Sequence, residues 1–129
     1  MTSARNARRA IAAVFVVLGA WCVLAPGMVL DLGVRPEGRA HSALEALLIG
    51  CFGAQALLAG LFAALGRFTA STFVAYGIAL LPFFGFDWYF YAVKPLLTGL
   101  IGLDAAGNFL MVGLCWVGWR ALAGTPDAA

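Results

Sequence analysis

Residues 41–65 read HSALEALLIGCFGAQALLAGLFAAL, a run with Glu45 as its only carboxylate and no lysine or arginine. It is long enough to cross about 30 Å of hydrocarbon as a helix, which takes roughly 20 apolar residues. Working outward, three more runs of the same kind appear. The expected spans are Ala10–Leu30, His41–Leu65, Phe68–Phe86 and Pro95–Trp119. Composition agrees: the 129 residues are 64% hydrophobic and 11% charged, with a mean hydropathy of +0.96, outside the range of soluble domains. Gaps between the runs are short, so consecutive helices are expected to be antiparallel neighbours. The fold class that follows is all-α, an antiparallel bundle of four transmembrane helices forming one integral membrane domain over residues 1–129.

Arg5, Arg8, Arg9, Arg67 and Arg120 fall on one side of a four-span arrangement, and Arg35, Arg39 and Lys94 on the other. Basic residues gather on the cytoplasmic side, so both termini are expected there. A formal net charge of +2, spread along the chain, gives no footprint for nucleic acid. Seven arginines to a single lysine, with abundant alanine and glycine, suggest a GC-rich bacterial genome and hence the inner membrane. The basic start followed by an apolar run imitates a secretory signal. Pro26 after Ala25 and Trp21 before Cys22 are poor contexts for either kind of signal cleavage, so the first span is expected to be retained.

Cys22, Cys51 and Cys115 stand singly in three spans without CxxC spacing, which points to packing residues and to neither a disulfide nor a metal. HExxH, Walker and GxSxG motifs are absent, and one histidine cannot supply a bis-histidine haem.

Two polar stripes carry what chemistry the chain offers. At about 100° per residue, His41, Glu45, Leu48, Phe52, Gln55 and Ala59 share one line of the second span. Leu97, Ile101, Asp104, Asn108, Met111 and Cys115 share one face of the fourth. A carboxylate at the bilayer centre costs about 2.5–3.5 kcal/mol on insertion scales, so Asp104 is expected to face protein, water or a partner. Counted from Pro95, it would lie about 13 Å below the outer helix end. If the stripes meet, His41, Glu45, Gln55, Asp104 and Asn108 wall one pocket. It would open beneath the aromatic run Phe83-Phe84-Gly85-Phe86-Asp87-Trp88-Tyr89-Phe90-Tyr91. Asp87, Trp88, Tyr89 and Tyr91 are then candidate ligand-lining residues. An interfacial aromatic belt explains the run without any function, and Asp87 amid the aromatics keeps the ligand-lining reading open.

Two functional readings follow. In the first, the stripes are interhelical contacts of a non-catalytic accessory or structural protein that forms a homo-oligomer or joins a larger membrane complex. In the alternative, Glu45, Asp104 and His41 are the catalytic acid/base groups of a membrane isomerase or proton-transfer enzyme acting on a lipophilic molecule. No cofactor is required by either.

Leu24-Ala25-Pro26, the connector Val29-Leu30-Asp31-Leu32-Gly33-Val34, and a second span carrying Gly50, Gly53 and Gly60 resemble the DoxX-like group of small four-helix bacterial membrane proteins. The resemblance implies a compact four-helix bundle, in a group where many members lack an assigned activity and some accompany oxidoreductases. Arg39-Ala40-His41-Ser42 is similar to a stretch of the small four-helix styrene oxide isomerases. In those a histidine at a similar place binds haem, so this second resemblance implies haem at His41 under the enzyme alternative.

Overall fold

The computed structural model describes residues 2–123; Met1 and residues 124–129 of the expected domain lie outside the described residues. Five α-helices follow one another: α1 (Thr2–Leu24), α2 (Pro26–Gly33), α3 (Ala43–Leu65), α4 (Ala70–Trp88) and α5 (Ile101–Leu122). A 3-10 turn (Pro36–Gly38) precedes α3, and a π-helical turn (Tyr89–Val93) extends α4. By length and composition, α1, α3, Ala70–Val93 and α5 are each able to cross a membrane. The chain is thus all-helical among the described residues, with four helices suited to a multi-pass membrane protein.

Boundaries differ from the expected ones for local reasons. Proline excludes the α conformation from the residue before it, and α1 stops at Leu24 with Ala25 at φ −140°, ψ 57°. Pro26 then opens α2, where its missing N–H costs nothing. The expected first span is therefore two helices. Ser42 and Glu45 form a reciprocal capping box that starts α3, and Thr69 with Thr72 starts α4 in the same way. Pro82 sits inside α4 and removes one backbone donor from it. Beyond α4 the ladder loosens: Lys94 N–H donates to Tyr89 O at 2.8 Å, and Leu96 N–H to Phe90 O at 2.8 Å.

Pro95 does not begin the last helix. The segment after it is drawn into pairing with the connector between α2 and α3, Arg35 N–H donating to Leu96 O (2.8 Å) and Thr98 N–H to Gly33 O (2.9 Å). Only after Thr98, whose carbonyl and hydroxyl accept from Ile101 N–H and Leu100 N–H, does α5 start. Asp104 consequently lies in the first turn of α5, about 4.5 Å past Ile101 at 1.5 Å per residue rather than near mid-membrane. This corrects the depth read from Pro95.

α1 is the hub, packing on α2, α3 and α5, while α4 packs on α5. Along the α1–α3 seam Gly19 meets the backbone of Gly53 and Leu57, and Gly60 meets Val16. Arg8 donates to Ala64 O at 3.0 Å and also to Gly66 O. Small residues let these helix backbones approach closely. The core gathers Ile11, Ala63, Phe73, Leu80, Met111 and Cys115. Cys22 is buried as well, Cys51 is exposed, and all three thiols are free.

Candidate functional site

The polar residues singled out in the sequence occupy three separate places. In the first, Asn108 of α5 bridges two carboxylates: its Nδ2 donates to Asp104 Oδ2 at 3.0 Å and to Asp87 Oδ2 at 3.4 Å. Asn108 is 9% exposed, the one buried polar residue among those described. Asp104 reaches it because i and i+4 share a helix face; Asp87 reaches it from the last turns of α4. An amide NH₂ has two protons to give, so one side chain holds both acids and ties α4 to α5. Asn108→Leu keeps the volume roughly constant and strands both acceptors, with an expected destabilisation of about 1–3 kcal/mol in detergent unfolding; an unchanged midpoint would refute the clamp.

The second place joins the connectors. Thr98 Oγ1 donates to Leu32 O (2.6 Å), and Arg35 Nε to Leu97 O (2.8 Å). Arg39 donates to Val34 O and to Asp31 O, both at 2.7 Å. Asp31 also receives the Arg39 guanidinium at 3.5 Å and His41 Nε2 at 3.7 Å. His41 takes a left-handed φ of 48°, turning the chain into the α3 cap. Glu45 belongs here: its oxygens accept from Ala40 N–H (3.0 Å), Ser42 N–H (2.8 Å) and Ser42 Oγ (3.1 Å). The space beside His41, bordered by Pro26, Leu30 and Ile49, is about 90 Å³.

The third place is a groove of about 510 Å³ between α3 and α4, floored by α1. Phe52 meets Phe83 edge-on at 6.4 Å, and Phe15 meets Tyr76 at 6.3 Å. Tyr76 OH donates to Ala59 O at 3.1 Å. Phe52–Phe83 and the Tyr76–Ala59 bond are the touching points of α3 and α4, and Phe15 reaches Tyr76 from α1. Gln55 lies in this wall, and its amide makes no hydrogen bond among the described residues.

The five residues expected to wall one pocket are thus divided: His41 and Glu45 in the connector, Asp104 and Asn108 in the α4–α5 clamp, Gln55 in the groove. Asp87 joins the clamp. Trp88, Tyr89 and Tyr91 are exposed at the end of α4, Tyr91 beneath the Arg35 guanidinium at 5.9 Å, and none of the three borders the groove. Sequence reasoning missed the connector pairing and the groove. The first had Arg35 and Arg39 flanking Pro36 as its signal; of the second, the α3 wall was legible because Phe52, Gln55 and Ala59 share one line of that span, whereas the alanines of α4 gave no sign of it. Among the described residues no three His, Cys, Asp or Glu side chains gather as a metal set. A scan against protein-family models finds no match for the chain, and searches of curated proteins and of solved structures find none either.

Proposed function

We propose that this chain is a bacterial inner-membrane protein of four antiparallel spans, both termini cytoplasmic, with a non-catalytic accessory or structural role in a homo-oligomer or larger membrane complex, in the manner of the DoxX-like group it resembles. The order of contacts on the α1–α3 seam supports the antiparallel arrangement, since Arg8, Val16 and Gly19 meet Ala64, Gly60 and Gly53 in turn. Arg8 beside the α3–α4 turn places the N-terminal arginines near Arg67, and Gly118 against Phe73 brings Arg120 to the same end. A basic end of this kind supports a cytoplasmic face.

The observation that carries the non-catalytic reading is the division of the acid/base candidates. An isomerase or proton-transfer centre needs acid and base within hydrogen-bond reach of one substrate. Glu45 is spent on a helix cap and Asp104 on Asn108. The groove contains neither. The test uses Asp104→Asn and Glu45→Gln, each keeping a carbonyl oxygen as acceptor, in cells lacking the native copy. Both variants are expected to restore the cellular phenotype in proportion to their abundance in the membrane. A variant as abundant and as stable as the parent that nevertheless fails would overturn the reading and restore acid/base work.

A further inference from the structure

We infer that the groove between α3 and α4 is a binding site for a lipophilic ring-bearing molecule with one hydroxyl or carbonyl oxygen, seated against the Gln55 amide. Four alanines make the space: Ala56 and Ala59 on α3, Ala75 and Ala79 on α4. Small residues facing each other ordinarily let helices close. Here the ring pair Phe52–Phe83 spaces the two helices at one end of the gap, while at the other Tyr76 reaches the Ala59 carbonyl of α3 and meets Phe15 of α1. The result is a compartment with aromatic ends and alanine walls.

Its polar group selects the ligand. Gln55 lies twelve residues into α3, about 18 Å along a helix of 23 residues, so it faces the middle of the hydrocarbon layer. Gln55 is exposed to the groove, and an amide left unpaired in hydrocarbon is costly. Tyr76 OH is already committed to Ala59 O, so Gln55 is the group free to receive an oxygen function. Its amide both donates and accepts, which suits a hydroxyl or a carbonyl equally.

The size suits a small molecule. The groove holds about 510 Å³, within the roughly 300–1,000 Å³ of small-molecule sites.

The experiment places the full chain in nanodiscs of saturated phosphatidylcholine and compares a diazirine-bearing naphthol with its hydroxyl-free naphthalene counterpart. Cross-linked peptides are mapped by mass spectrometry over a concentration series. The naphthol is expected to label the Phe52–Ala59 and Ala75–Phe83 stretches saturably, about three- to tenfold better than the counterpart, the value of one neutral hydrogen bond. Gln55→Leu should erase that preference while both probes still bind. Ala79→Leu and Ala59→Leu, which fill the space from opposite walls, should each abolish labelling by both probes. Gel filtration and circular dichroism confirm that a variant is folded before it is scored. Uniform, non-saturating labelling of every lipid-facing helix would overturn the site. So would a cross-link between two copies through residue 55, which would make a second chain the occupant.

Discussion

Gly19→Leu is expected to separate α1 from α3 and abolish the folded state in mild detergent. A β-carbon at Gly19 would stand 2.6 Å from Gly53 O and 2.7 Å from Leu57 N. Both are backbone atoms, so no rotamer change relieves the clash; the helices themselves must move. Gly53 is pinned from the other side, its own β-carbon position lying 2.7 Å from Cys22 Cβ and 2.8 Å from Gly19 O. Overpacking a well-filled contact costs about 1–3 kcal/mol per modest insertion, and leucine against two backbones should exceed the top of that range. Because α1 also carries the contacts to α5, the loss propagates beyond one seam. Gly113→Ala is the control: nothing lies within 4 Å of the added carbon, and better helix propensity should leave stability unchanged or raise it by up to about 1 kcal/mol. Unfolding monitored by circular dichroism during SDS titration separates the two. Equal midpoints for both variants would show that the seam is not closed as described.

Phe73→Ala should cost about 3–5 kcal/mol, the range for emptying a buried aromatic site. The ring is 1% exposed and stacks edge-on against Phe68 with centroids 5.0 Å apart. It lies directly over Gly118, where an added β-carbon would collide with three of its ring carbons. This contact joins the first turn of α4 to the last turns of α5. Gly118→Leu alone should therefore destabilise as well, since a 1%-exposed ring has little room to yield. The two changes are expected to compensate: in Phe73→Ala/Gly118→Leu the new side chain enters the vacated space. Residues in contact show coupling of about 0.5–3 kcal/mol. Strict additivity in that cycle would remove Phe73 from the role assigned to it.

Four long apolar helices were legible in the chain because hydropathy is a sum over neighbours in sequence. Their ends were less so. Pro95 looked like a helix start by the usual preference for proline at the first turn, yet the N–H groups after it bond elsewhere, Thr98 to Gly33 and Leu97 to Phe90. Those partners lie outside any local window. The shift of six residues, from Pro95 to Ile101, moved Asp104 from apparent mid-membrane to a first turn. Glu45 shows the opposite situation: Ser42-Ala43-Leu44-Glu45 is the capping-box pattern, so its structural role was written locally. Its place on the helix stripe drew attention away from that simpler use.

The amino-acid sequence by itself determined that the chain is helical and apolar enough to cross a membrane four times, because each of these properties is additive along the chain. Which helix lies beside which was decided in three dimensions. Two stripes that share a period on separate helices do not meet unless those helices are neighbours, and here α3 packs on α1 while α5 packs on α4 and α1. That choice divides the acidic residues between a cap and a clamp, and it leaves Gln55 among alanines in a groove bordered by the Phe52–Phe83 pair and Tyr76. A cavity is a property of what fails to fill the space between helices, and only the assembled packing defines that space.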